Sequence, residues 1–443
     1  MQEKNIEKQM SKKTYFIELS VIALLLVAFV GNIQILILAA FSFASLLVLL
    51  SNKENSTYYF AFFTSFAGIF VYQGRHMFFV MAALFIIKYL FSGKINRTTF
   101  LYYLLIMGYS LMFRDIKGDF SFAKLIGIIL LFTIPVVANY SNQINCVEFI
   151  RHYIFGFAIS TVVGFFAMNI PAMVRLFDFD LIWTEDYIEL TRFFGLAFDS
   201  NFYALSNYVV IAYLLFAFER LSVFRTALIL FFAITGLQTI SKSYLLTLAV
   251  LIVCYFIKNA MHLKKFLAPL LVFGVAVSLF IFISEELGYN VVDLTFSRFV
   301  KGGTFADNTT GRAEIWSEYI SMFKNASLKE LLFGFGFNAT VVEAAHNTFI
   351  EFFFHYGLIG TGIWFAYFVH CREMFKINAE TFKNKTPVII LCVIAGVFFL
   401  SAYTYEAFFM ELIISFVTFG LGRKAKERKY LGNVQHNCAN LQG

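Results

Sequence analysis

Charged side chains are scarce in this chain. They make up 14% of its 443 residues, against roughly a quarter in soluble domains, and the deficit runs the whole length. A chain so poor in charge cannot present a solvated surface, so the sequence predicts that a bilayer is its solvent. Proline is rare too, at 4 residues, which argues against long disordered tails. The 5 cysteines are few and badly placed for bridging. In the orientation derived below, Cys146, Cys371 and Cys438 fall on the cytoplasmic side, and Cys254 and Cys392 lie within spans. No disulfide framework then faces an oxidising compartment, and stability rests on helix packing. The sequence also lacks a nucleotide P-loop, an HExxH pair, Cys/His spacing for a metal, and a DxD-type carboxylate pair in its long polar interval. Internal repeats and low-complexity segments are absent.

What the chain has in abundance is apolar bulk. Hydrophobic residues make up 60%, and 60 phenylalanines suit lipid-facing and helix-packing surface. Spans of about 17–25 apolar residues are expected near 15–30, 33–50, 58–72, 77–91, 100–113, 124–139 and 153–170. Further spans are expected near 202–218, 224–240, 244–257, 266–284, 348–369, 387–402 and 407–421. The first apolar run follows a polar, lysine-containing segment (1–13) and reads as a retained span, not a cleaved signal. The fold class is therefore an all-α integral membrane protein of about 12–14 transmembrane helices, with one polytopic domain over 1–443.

Orientation follows from Lys and Arg. With the N-terminus inside, most of the 35 basic residues fall in cytoplasmic loops and in the basic tail, 422–443, and both termini are cytoplasmic. The net charge of +7 is then a matter of topology and anionic headgroups, and nucleic acid is not a partner. The two longest polar intervals, 171–201 and 284–345, share the opposite face.

Those intervals hold the candidate residues. From Arg312 to Phe323 the apolar positions Ile315, Trp316, Tyr319, Ile320 and Phe323 recur at helical spacing, predicting an amphipathic helix that lies on the membrane or on the bundle. Arg312 at its start combines a guanidinium with free backbone N–H groups, a combination suited to phosphate. Ser327 and Glu330 have capping-box spacing, and Gly334-Phe335-Gly336 reads as a tight turn. His346 follows at the loop-to-membrane boundary, where an imidazole serves as a proton acceptor or as a helix cap. In the other interval Arg192 serves either a lipid headgroup or a substrate, and Asp199, Ser200 and Asn201 are all N-cap residues. Lys242, between Ser241 and Ser243, either snorkels to the interface or meets an anion. Ionisable residues within spans are few, with Glu411 and Lys88 the main ones.

GRAEIW (311–316), LLFGFGFN (331–338) and AHNTFIEFFFHYGLIG (345–360) together resemble the signature region of the O-antigen ligase and Wzy-type O-antigen polymerase superfamily. RFFGLAFDSN (192–201) is similar to that family's upstream arginine segment. TISKSYLLT (239–247) resembles its Ser-Arg segment, with Lys242 where arginine is common. The resemblance covers about 192–421. It implies a metal-independent, inverting glycosyltransferase of the bacterial inner membrane that needs no cofactor, with 284–345 as a partly helical periplasmic catalytic loop. Its donor would be a glycan on undecaprenyl diphosphate. Arg192 and Arg312 would hold the diphosphate, and His346 would assist the acceptor hydroxyl. Lys242, Asn347, Asp199 and Asn201 would contact substrate, and Glu351 would support them from behind. The partners implied are membrane lipid, a chain-length regulator and a flippase. The expected activity is repeat-unit polymerisation onto a lipid-linked acceptor. The alternatives are ligation to lipid A core and, from another class, transport of lipid-linked sugar.

Overall fold

Backbone N–H and C=O groups in apolar surroundings must be bonded within their own segment, and helix does this most simply. The computed structural model describes residues 2–72, 75–90, 97–112, 146–169, 192–196, 200–216, 222–259, 312–336, 345 and 347–374, with isolated positions between 271 and 286. These residues are mostly helical. The first group is α1 (Gln2–Val30), α2 (Gln34–Leu50), α3 (Lys53–Thr64), α4 (Phe78–Leu90), α5 (Arg97–Met112) and α6 (Cys146–Asn169). It is followed by α7 (Ser200–Phe216), α8 (Val223–Leu237), α9 (Lys242–Asn259), α10 (Arg312–Asn325), α11 (Leu328–Phe333) and α12 (Thr348–Met374).

Three described helices are long and apolar enough to cross a membrane, over Lys13–Val30, Arg151–Met168 and Phe349–Tyr367. Shorter apolar helices coincide with five more of the expected spans: Gln34–Leu50, Phe78–Tyr89, Phe100–Met112, Val223–Leu237 and Lys242–Tyr255. The expected spans at 124–139, 387–402 and 407–421 lie outside the described residues, as do most of 266–284 and the tail 422–443. One expectation is overturned. The run 58–72 is not a single helix, because α3 stops at Thr64. A 3-10 turn follows (Ala67–Ile69), then a two-stranded antiparallel ladder in which Val71 pairs with His76 and Tyr72 with Arg75 (β1 Val71–Tyr72, β2 Arg75–His76). An apolar run reports burial and not period, and here the chain turns back while its side chains stay buried: Phe62, Phe63, Phe66 and Phe70 are all at most 1% exposed.

Caps explain where several helices begin. Asn52 accepts from the N–H of Asn55 at the start of α3 (2.8 Å), and Ser222 accepts from that of Arg225 at the start of α8 (3.3 Å). Lys88 does the opposite task. From α4 its Nζ donates to the carbonyls of Val48 (3.1 Å), Leu49 (2.9 Å) and Ser51 at the end of α2, the terminus where a cation suits the helix dipole. Its place in a span is thus a packing role.

The helices are joined by side-chain hydrogen bonds as well as by apolar contact. The Tyr203 hydroxyl of α7 donates to Thr235 of α8 (2.9 Å) and lies 3.1 Å from the Thr161 hydroxyl of α6. Asn207 Nδ2 donates to Tyr203 (3.2 Å), and the Tyr244 hydroxyl of α9 reaches Asn207 Oδ1 (3.3 Å). Four helices therefore meet at one buried polar knot. Close backbone approach helps elsewhere: a Cβ on Gly164 of α6 would stand 2.6 Å from Gly195 Cα.

Helix α12 is broken at Gly357, whose φ of 61° and ψ of −169° are not helical. Gly334, at the end of α11 with φ of 85°, fits into the break, where a Cβ would come within 2.4 Å of the His355 carbonyl. The carbonyls released there find donors. Phe335 N–H donates to the Phe354 carbonyl (2.8 Å), and the Tyr109 hydroxyl of α5 reaches the carbonyls of Tyr356 (2.7 Å) and Phe333 (2.9 Å). The tight turn expected at Gly334-Phe335-Gly336 is present, and it serves as a joint between α11 and α12. Gly357→Ala is expected to cost about 3 kcal/mol through strain and backbone collision. Gly362→Ala, where nothing lies within 4 Å of the added Cβ, should be neutral or gain up to about 1 kcal/mol. Thermal unfolding of the two variants in the same detergent checks the pair.

Candidate functional site

Two groups of the expected residues are held by the fold, each by a different device. The first surrounds the turn between α8 and α9. Arg192 is buried, at 5% exposure, and its Nε donates to the Thr239 carbonyl at 2.9 Å. The next residue, Phe193, bonds the same turn through its N–H to the Gln238 carbonyl (3.0 Å). This gives Arg192 an anchoring role that the sequence does not announce, and it fixes the plane of the guanidinium. Asn201, one residue into α7, accepts from the Ser241 hydroxyl (2.9 Å), which also lies 2.8 Å from that of Ser243. Lys242 stands between those serines as the first residue of α9 and is half-buried. The turn itself is strained. Ile240 has φ of 48°, a region β-branched residues avoid, and strain of this kind is kept where a fixed backbone geometry is needed. Asp199 lies outside the described residues.

The second group is built on α10 and the head of α12. The predicted amphipathic helix forms as Arg312–Asn325 and packs on α12, not outward: Tyr319 is buried against Phe354 (ring centroids 5.0 Å, 78°), with Ile315, Trp316 and Phe323 beside it. Ile320 is the exception to the expected face and is half-exposed at 50%. Arg312, Trp316 and Tyr319 are spaced i, i+4, i+7 and so share one side of α10. That side grips Ala345. Trp316 Nε1 donates to the Ala345 carbonyl at 2.7 Å, and the Ala345 backbone amide bonds the Tyr319 hydroxyl.

Asn347 is buried at 1% exposure and caps α12. Its Oδ1 accepts from the N–H groups of Phe349 (3.0 Å) and Ile350 (3.2 Å). His346 itself lies outside the described residues, but both of its neighbours are tied down. Glu351 follows one turn later, on the same side as Asn347, and is buried at 1% exposure. Burial, with the negative charges of Glu351 and Glu318, pushes the Tyr319 hydroxyl up to about 12, against a smaller downward pull from the Ala345 amide. Tyr319 therefore stays a neutral donor and acceptor throughout the working pH range.

Below this group the capping box predicted for α11 is present. Ser327 Oγ accepts from the N–H of Glu330 (3.3 Å), whose carboxylate accepts from the Ser327 N–H (2.7 Å). Hydrogen bonds from the Ser327 hydroxyl and backbone hold the Glu330 carboxyl below the usual range. His355 is buried, with Nδ1 3.1 Å from the Gly336 carbonyl. Sequence reasoning missed Trp316 and Tyr319 as site-forming residues. Their only signal was helical spacing from Arg312.

Two outcomes are expected here. Trp316→Phe keeps the ring and loses the donor, so amide hydrogen exchange over 345–350 should rise about tenfold, in line with one lost buried hydrogen bond of about 1.4 kcal/mol. The rest of α12 should exchange as before. The stabilisation from Glu330 is present above the unfolded carboxyl pKa of about 4.3 and fades as pH falls through its lower folded value. Exchange in α11 should therefore rise on acidification below that range, and Glu330→Gln should remove the dependence.

No protein-family model matches this chain, and no curated protein matches it.

Proposed function

We propose that the chain is a membrane-embedded glycosyltransferase that polymerises repeat units, moving a glycan from undecaprenyl diphosphate onto a lipid-linked acceptor. The observation that carries this reading is the grip of α10 on Ala345. In a chain so poor in charge, the helix that begins with Arg312 is fastened to the residue before His346, and the residue after it caps α12. A cation for a leaving phosphate and a base for a hydroxyl are the two groups this transfer needs.

In the proposed step the acceptor hydroxyl attacks the anomeric carbon from the face opposite the diphosphate. His346 takes the hydroxyl proton as the new bond forms. The bond between sugar and diphosphate breaks with its electron pair left on the phosphate oxygen, and Arg312 and Arg192 meet that charge. Lys242, Asn201 and Asp199 contact the donor from the α7 and α9 ends. Asn347 holds the head of α12 in place, and Glu351 supports it from behind. The basic side of the bilayer faces the cytoplasm in this reading, and the site faces the opposite compartment.

The test supplies purified protein in lipid with one glycan repeat on undecaprenyl diphosphate and no other acceptor. A ladder of products is expected, lost in Arg312→Ala and His346→Ala while both variants insert normally, and unchanged by EDTA. Transfer only after lipid A core is added would make the protein a ligase. Silence under both conditions would favour carriage of the lipid-linked sugar.

A further inference from the structure

An acid and a base meet inside the bundle, away from the polar intervals. Glu18 of α1 and His152 of α6 lie in two of the helices able to cross a membrane, and both are 0% exposed. Glu18 Oε1 stands 2.7 Å from His152 Nδ1. The imidazole is sandwiched between the rings of Tyr15 (4.1 Å, 8°) and Tyr58 (4.8 Å, 2°). Glu18 Oε2 and His152 Nε2 are buried with no hydrogen-bond partner among the described residues.

The surroundings limit which charge states can exist. From α1 the neighbours are Thr14 and Tyr15; from α3 they are Tyr58, whose hydroxyl donates to Glu54 (2.6 Å), and the buried Tyr59. Next to His152 on α6, Arg151 is exposed. A bare carboxylate beside a neutral imidazole would bury one negative charge, and a protonated carboxyl beside an imidazolium would bury one positive charge. With one proton between them the pair is neutral overall, whether that proton sits on oxygen or on nitrogen. Two apolar side chains would serve packing alone better than this pair with its two unmatched atoms.

We propose that Glu18 and His152 form a proton-binding site within the bundle, and that the single proton they share holds α1 against α3 and α6. The proton comes from water and returns to water when α1 separates, so proton occupancy and helix docking are one equilibrium. This site is independent of the transferase reading.

The sign of the pH dependence follows from counting protons. The folded pair keeps one. The unfolded chain holds two below about 4.3, one between about 4.3 and about 6.5, and none above. Stability from the pair is therefore greatest between those values and falls on both sides. Thermal unfolding of the full chain in lipid nanodiscs across this range tests it. Wild type should lose melting temperature above about pH 6.5. Glu18→Gln, which leaves a neutral buried imidazole, should lose that alkaline decline and instead weaken as pH falls below the same value. His152→Gln, which leaves a protonated buried carboxyl, should weaken from about pH 4.3 upward. The exchanged pair E18H/H152E should return the wild-type profile. A wild-type profile flat above about pH 6.5, or single variants running parallel to wild type, would overturn the proposal. If a single variant does not fold, the wild-type profile and the exchanged pair still decide it.

Discussion

Every carbonyl released by a break in a helix must find a donor when water is far away, and the arrangement around α12 depends on how this is met. Gly357 opens the helix, Gly334 enters the gap, and Tyr109 and the Phe335 N–H bond the carbonyls left behind. Without these donors the break would cost several kcal/mol of unmet hydrogen bonding. Because it is met, α11 is fastened to α12 from one side and α5 from the other. The second candidate group is built on that fixed base: α10 packs on the outer half of α12, and Ala345 and Asn347 take their places from it.

The same economy governs polar groups elsewhere. Tyr203, Asn207, Thr235, Tyr244 and Thr161 satisfy one another across four helices, and Lys88 spends its charge on the end of α2. Each polar side chain in these places fixes a relative height between helices, which apolar contact alone does not. Arg192 belongs to the same pattern, since its Nε bond to Thr239 ties the segment before α7 to the strained turn before α9.

What the sequence made legible was local. The capping box at Ser327 and Glu330, the amphipathic stripe after Arg312 and the double-glycine turn at 334–336 depend on residues a few positions apart, and all three are present. The expected spans near 15–30, 153–170 and 348–369 were equally plain as long apolar runs. What could not be read depended on distant partners. The run 58–72 looked continuous because every residue in it is apolar or small, yet the chain reverses there. Glu18 is one charge in an apolar stretch and His152 sits beside an arginine near a span end, so neither pointed to the other. The grip on Ala345 was hidden for a related reason, since its acceptor is a backbone carbonyl and carries no residue signature.

The break at Gly357 has a mechanical consequence. A continuous helix transmits a push along its whole length as a gentle bend. Helix α12 is instead two rods meeting at a pinned joint, with Tyr109 as the pin and α11 riding on the outer rod. A displacement at the capped end near Asn347 is therefore delivered as rotation about that joint. Phe352 and Tyr356 on the outer rod and Trp364 and Tyr367 on the inner rod reach the same main core, so a rotation at the joint is felt by that core on both sides of the break.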